Sequence, residues 1–361
     1  MKKCICLTLI FSLLVASGCS MPAKRSSGDT IMKSVEPLPK IQTQGDVSTK
    51  AGISGAQASE SKAPVSETRS FEDKGALFVT IYYQDREGFL IPVSRTAEKQ
   101  EGIARAAVSG LADNSLNREE LAYYGLFPVL PKGTQILGIT IREGVAYIDF
   151  DSKLLGYKDE ASERRIICSV VYTLTEFRTI NGVRILVNGH NPGRLKFGTD
   201  ISGVLNRKNI LVNAPRLNVE TGSAKLDVYL IKVVNHNHSY VLPVSAQVGA
   251  LNDKDIPGKI VELLARQQTG DKLFSALPAG TKLLGSSISG KTIILDFSGE
   301  IRNYGGNAAE DSIVKQLLYS MRQISGIESV RLKIEGKSDY LTEGTDISKD
   351  LKIPREINPI D

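Results

Sequence analysis

The 361-residue chain reads as an α+β protein built of two tandem copies of one two-layer α/β sandwich. Three observations predict this. Residues 126–150 and 273–297 align without a gap at 11 of 25 positions, an offset of 147 residues. A unit of that length can bury its own core, so the repeat is a domain duplication and not a solenoid. Each copy also carries the same succession of strand-like and helix-like patterns. The composition, 41% apolar and 24% charged, is that of ordinary globular domains.

Ahead of the first copy, residues 1–3 are basic and residues 4–15 form an apolar run too short to cross a bilayer. With the small residues that follow, this predicts a leader over residues 1–18. Val15-Ala16-Ser17-Gly18-Cys19 resembles the bacterial lipobox, in which cleavage precedes the Cys and its sulfur receives a diacylglycerol. Cys19 is therefore the expected lipidation site, and lipid the expected link to the extracytoplasmic face of the cell membrane. Residues 19–74, rich in Ser, Lys, Thr, Gly and Pro without sustained periodicity, read as a disordered tether. The only cysteine beyond Cys19 is Cys168, on a helix face beside apolar residues, where an inert buried thiol is expected.

Within the copies, expected as domains over residues 75–205 and 225–361 with a linker over 206–224, the order is ββαββαβ. Residues 77–83 and 89–94 read as a strand pair, matched by 226–231 and 241–245. Pro92 and Pro243 fall at the same place and mark an edge strand. Ile103, Ala106, Ala107 and Leu111 suggest the apolar face of helix one, matched by Ile260, Leu263 and Leu264. The copies then diverge, the first carrying ten extra residues that include Asn117–Tyr124, with room for another helical turn or two. The opening stretch predicts a β-hairpin, turning at Glu143-Gly144 and at Ser289-Gly290. Helix two is the clearest amphipathic signal: Ile166, Ile167, Val170, Val171, Leu174 and Phe177 recur at +147 as Ile313, Val314, Leu317, Leu318, Met321 and Ile324. Asp159 and Asn307 are the candidate N-caps, the latter in a capping box with Glu310, and Gly182 and Gly326 lie past the helix ends. Both helices are expected to cover one face of a mixed sheet, and both copies close on Gly-Thr-Asp-Ile-Ser.

Catalytic patterns are sparse. Asp149 and Asp296 are retained at equivalent strand ends, where a carboxylate can cap a turn; a paired general acid/base would need a second carboxylate that copy two does not supply. His236 and His238 in a turn, and His190 in a polar loop, read as turn residues and not as metal ligands. There is no Gly-x-Ser-x-Gly, and no basic stripe of the kind that binds nucleic acid. The formal charge is +5, or +3 once the two leader lysines are removed. No cofactor, metal or catalytic residue is expected.

The helix-one face, the Leu-Pro-x-Gly-Thr turn, the hairpin ending in Asp-Phe, the apolar second helix and the closing motif, together with the lipobox and the duplication, resemble the GerM family of sporulation and germination lipoproteins with tandem GerMN domains. The resemblance implies a fold akin to the ring-building modules of secretion systems. It also implies a role in endospore formation, in the space between mother-cell and forespore membranes, supporting a secretion-like complex. The expected function is thus a non-catalytic, lipid-anchored scaffold with protein partners, and self-assembly. Tyr123 and Tyr124, in the copy-specific insertion, are the candidate partner-binding residues. The alternatives are an envelope lipoprotein that binds cell wall or a small ligand, and an enzyme using Asp149 and Asp296 as bases.

Overall fold

A computed structural model describes residues 77–97, 102–214, 224–235, 237–266 and 273–360. The expected leader, Cys19, the tether and His236 lie outside the described residues. Copy one runs β1 (Leu77–Asp85), β2 (Leu90–Ala97), α1 (Ile103–Ser109), α2 (Ser115–Tyr123), β3 (Leu126–Phe127), β4 (Ile136–Arg142), β5 (Val145–Phe150), α3 (Glu160–Leu174) and β6 (Gly182–Val187). Copy two repeats the order, with no counterpart of α2 among the described residues: β7 (Ala224–Val234), β8 (His238–Val248), α4 (Ile256–Arg266), β9 (Leu273–Phe274), β10 (Leu283–Ser289), β11 (Thr292–Phe297), α5 (Asn307–Met321), β12 (Ser329–Ile334) and a short β13 (Leu351–Lys352). The insertion forms α2, capped by Asn114, whose side chain accepts from the Asn117 amide at 2.9 Å.

Both copies are α+β with the duplicated order, but the strands of each fall into two ladders instead of one continuous sheet. The orders are β2-β1-β3 and β4-β5-β6 in copy one, β8-β7-β9 and β10-β11-β12-β13 in copy two. The reason lies on the free side of β1. There the Tyr82 amide donates to Thr173 Oγ1 at 3.1 Å, and Ser169 Oγ donates to the Tyr82 carbonyl at 2.7 Å. Two side chains of α3 thus satisfy backbone groups that a neighbouring strand would otherwise take. Copy two does the same: the Tyr229 amide donates to Ser320 Oγ at 2.9 Å, and Gln323 brackets the backbone of Asp227. The second ladder is the mixed one, with β4/β5 antiparallel and β5/β6 parallel, as are β11/β12. Its hairpin turns at Glu143-Gly144, φ 49° and 76°, in the left-handed pair that matches strand twist. In copy two the loop is Gly290-Lys291, one residue later than expected, because Ser289 still pairs with Thr292. Both hairpins carry a register shift at the equivalent glycines, Gly138 and Gly285.

Pro92 and Pro243 sit on β2 and β8, the outer strands of their ladders, as their missing N–H requires. The stripe of α3 and α5 is buried as expected except at Phe177 and Val314, which are partly buried, and Phe177 and Ile324 lie just past the helix ends. The face of α1 is out of phase with expectation: Ala104, Ala107, Val108 and Leu111 are buried and Ala106 is not, since a run of small residues leaves the period weakly determined. Asp159 caps α3 by accepting from the Ser162 amide at 2.7 Å. Asn307 does not cap α5; it is the first helical residue, and the N-cap is Gly306 at φ 84°. Gly182 opens β6 rather than closing a helix, and His238 begins β8 instead of lying in the turn.

Candidate functional site: the seam between the copies

The two copies form one compact unit, and polar groups concentrate where they meet. The outer strands β2 and β8 face one another, and each receives the tail of the opposite copy. Ser245 on β8 donates its amide to the Val212 carbonyl at 2.9 Å, and its hydroxyl accepts from the Val212 amide at 2.8 Å. Ser94 on β2 makes the same pair with Ile357, both at 2.8 Å. Next to each tail residue is an asparagine in the left-handed region, Asn213 at φ 52° and Asn358 at φ 46°. Asn213 Nδ2 donates to the carbonyls of Leu90 and Pro243, both at 2.9 Å, and its Oδ1 accepts from the Leu90 amide at 2.8 Å. Asn358 Nδ2 donates to Val241 and Pro92 at 2.7 and 2.8 Å, and its Oδ1 accepts from the Val241 amide at 2.9 Å. The exchange is reciprocal, which is the mark of pseudo-two-fold symmetry.

Three buried charge groups cross the same seam. Asp85 and Lys232 hold equivalent positions, 147 residues apart, yet lie 3.5 Å from each other with side chains 3% and 1% exposed. Lys232 also reaches Glu87 at 3.0 Å and lies 4.7 Å from the Phe89 ring centre. Burial raises the Asp85 carboxyl above its usual range, against the pull of the Phe89 amide and Lys232. Glu176, past α3, accepts from Arg207 and Arg322 at 2.6 Å on its two oxygens, and from the Tyr82 hydroxyl at 2.9 Å. Burial alone would push this carboxyl up; the two guanidinium groups outweigh it and hold it down at about 2. Lys225 donates to Tyr172 Oη at 2.7 Å and sits 3.0 Å from Asp227, which also accepts from Tyr172 and Ser245. Burial lowers the Lys225 ammonium despite Asp227.

The copy-specific insertion ends in the seam as well. Tyr123 and Tyr124 stand edge-on at 5.0 Å, each with His238 of copy two 5.7 Å away, and Tyr240 donates to the Tyr124 carbonyl at 2.8 Å. Tyr124 is partly buried there, while Tyr123 stays 75% exposed. Gly125 follows at φ 70°, and a Cβ on it would come within 2.4 Å of Val234 Cγ1 and 2.6 Å of Asn235 Nδ2. Gly125→Ala therefore meets both backbone strain and a steric clash. The expected destabilisation is about 2 kcal/mol, read from the midpoint of urea unfolding. An unchanged midpoint would contradict so close an approach at this point.

The carboxylates named from the sequence hold loops. Asp149 accepts from the Gly189 amide and Asp296 from the Gly336 amide, each at 2.9 Å. Asp200 and Asp346 each accept the amide and hydroxyl of the serine two residues on. His190 is an exposed turn residue. Cys168 is buried, its thiol pushed up to about 12 by burial and facing the Leu211 carbonyl. Tyr123 and Tyr124 come together with His238, while Asp149 and Asp296 each hold a loop amide.

Two residue pairs hold the loops and the seam in roles the sequence did not indicate: Glu310 was expected in a capping box, and Glu163, Asn213 and Asn358 carried no expectation. Glu163 and Glu310, one turn ahead of the apolar stripe, are buried at 0% and 3%. Glu163 accepts from the amides of Phe197 and Thr199 at 2.8 and 3.0 Å, and Glu310 from those of Glu343 and Thr345 at 2.7 and 2.9 Å. Glu310 is thus the anchor of the Gly-Thr-Asp-Ile-Ser loop, not part of a capping box. Burial opposes ionisation of both, but the hydroxyls of Thr199 and Thr345, together with these amides and the hydroxyls of Tyr157 and Tyr304, hold them below the usual carboxylate range. The signal was present: an acidic residue retained at +147 in phase with an apolar stripe. Asn213 and Asn358 are the second pair, separated by 145 residues and indistinguishable from ordinary loop asparagines.

A duplicated α+β module, closed on its own copy through exchanged tails, defines the class: a tandem-module protein organised around packing. A family model described as "Germane: Sporulation and spore germination" matches residues 80–192 and 227–340, one segment in each copy. The chain belongs to this family, and so to the proteins of sporulation and spore germination. It is similar to the spore germination protein GerM of Bacillus subtilis (strain 168), with 26% identity over 97% of this chain and 96% of that one. Its fold is that of the tandem GerMN domains of the B. subtilis sporulation protein GerM, with TM-score 0.69 and 24% identity over 79% of this chain and all of that one.

Proposed function

We propose that the chain is a non-catalytic scaffold, lipid-anchored through Cys19 on the extracytoplasmic face of the cell membrane. It supports spore formation and germination by docking on a secretion-like complex between mother cell and forespore. The observation that carries this reading is the seam, which joins two copies of the family's module into one body with the copy-specific α2 at its margin. The acidic pairs retained by the duplication, Asp149/Asp296, Glu163/Glu310 and Asp200/Asp346, each hold backbone amides, a structural use that supports a binding role. Side-by-side packing finds support in β4 and β10, outer strands with Leu137 and Ile141, and their equivalents Leu284 and Ile288, about half exposed.

The test is a fluorescent fusion followed through a sporulation time course, with Cys19→Ala and Tyr123→Ala variants beside it. Signal gathered around the engulfing forespore, dispersed by Cys19→Ala, is the expected result. Uniform envelope signal throughout growth would instead favour a general cell-wall- or ligand-binding lipoprotein. Tyr123→Ala should reduce partner capture at unchanged melting temperature; capture that survives removes the tyrosine from the docking surface.

A further inference from the structure

We propose that copy one carries a docking patch for an anionic lipid surface, independent of any lipid anchor. The patch lies at the end of copy one where the turn Ser152–Leu155, the start of α3 and the loop before Gly198 converge. Its centre is apolar: Leu155 and Phe197 are each 37% exposed. The buried Tyr157 lies 6.0 Å from the Phe197 ring and joins the two loops. Lys153, Lys158 and Lys196 on these segments, and Lys132 beside Gly133, are exposed residues. Lys196 Nζ lies 5.1 Å from the Phe197 ring centre, and the Lys153 chain passes 3.4 Å from where a Cβ of Gly133 would stand, next to Lys132.

The carboxylates of this region are already engaged. Asp159 caps α3, Glu160 pairs with Arg164 at 2.8 Å, and Asp200 holds its own turn. Asp151 accepts from the Gln135 amide at 3.0 Å and lies 4.0 Å from Lys153.

Copy two supplies the internal control. The same turn, helix start and loop are built there, with the loop anchored by Glu310 as Glu163 anchors it in copy one. Yet the four lysine positions hold Ala279, Glu300, Gly305 and Thr342, and Leu155 and Phe197 become Arg302 and Glu343. The fold does not need lysine, leucine or phenylalanine at these positions, so their gathering in copy one has another cause. Exposed lysines on the segments that carry two exposed apolar side chains match a bilayer with anionic headgroups. The ammonium groups meet the negative surface potential, and the apolar pair enters the boundary with the acyl chains.

The chain contains no tryptophan, so Phe197→Trp in the full chain gives a single indole at the patch. Its emission should shift to the blue with phosphatidylglycerol vesicles at low salt and stay unmoved with phosphatidylcholine vesicles. About 1 M salt should reverse the shift, because surface attraction of this kind is screened. The exposed triple variant Lys153→Glu, Lys158→Glu, Lys196→Glu should lower the partition onto anionic vesicles at least tenfold at unchanged circular dichroism. Glu343→Trp, at the equivalent site of copy two, should report no shift. Insertion of any other segment does not register at residue 197. Four results would each overturn the proposal: no shift on anionic vesicles, an equal shift on neutral ones, a shift that survives charge reversal, or the same shift at residue 343. A shift with polyglutamate but not with vesicles would reassign the patch to an acidic protein partner.

Discussion

Glu176→Gln is expected to cost about 3–5 kcal/mol, the range found when one member of a buried ion pair is removed. The substitution keeps the size of the side chain but leaves Arg207 and Arg322, both drawn to within 2.6 Å of the carboxylate, without its charge. All three side chains are largely withdrawn from solvent, with exposures of 11%, 27% and 25%. The loss is therefore more than that of a surface salt bridge. The same group predicts an acid dependence. Its folded value is depressed to about 2, so its contribution is complete above the unfolded glutamate value and disappears as pH falls through the folded one. The window is thus roughly pH 4.5 down to 2, and a shift of this size corresponds to about 3 kcal/mol. Urea unfolding of the parent and of Glu176→Gln at neutral pH and at pH 3 checks both statements. The gap between the two proteins should narrow in acid. A gap that is small at neutral pH, or that stays constant down to pH 3, would mean that the two arginines are stabilised by other groups.

What was legible in the sequence was local and periodic. The stripe of α3, the Glu143-Gly144 turn, the cap at Asp159 and the edge prolines each depend on contacts within a few residues or on a period of two or 3.6. What was not legible has neither property. Asn213 meets Leu90, 123 residues away, and Asn358 meets Pro92, 266 residues away. Glu176 is a single acid after a helix, and nothing nearby indicates that Arg322 will reach it. The duplication showed which residues were retained, and retention pointed to Asp149 and Asp296 as readily as to a site. The buried charges of the seam depend instead on residues that differ between copies. Asp85 and Lys232 occupy the same position with opposite charge and pair with each other. Two copies of the first module meeting in this way would bring Asp85 against Asp85, so the charge difference favours the mixed pair over self-pairing. The split of each sheet was hidden for a related reason: Ser169 and Thr173 look like ordinary helix residues until β1 is placed beside them.

The asparagine pair gives the second large effect. Asn213→Ala removes three hydrogen bonds at once, leaving the Leu90 amide and the carbonyls of Leu90 and Pro243 without these partners, and it holds alanine at φ 52°. Unmet backbone groups cost roughly 1–3 kcal/mol and the left-handed conformation roughly 1–2 more, so a loss of about 3 kcal/mol is expected. Asn358→Ala should match it, because its three bonds are the same by pseudo-symmetry. Asn213→Gly separates the two causes: glycine accepts the backbone angle freely, so any loss that remains belongs to the bonds. Asn213→Asp tests the polarity, since a carboxylate can still accept from the Leu90 amide but would face two carbonyl oxygens that need a donor. It should be worse than glycine despite its nearly identical shape. The double alanine variant decides whether the seam is one cooperative unit. If the exchanged tails hold the copies together, its unfolding should separate into two transitions, one for each copy. A single transition shifted by the sum of the single losses would mean that the buried charges beside Glu176 and Lys232 hold the seam without the tails.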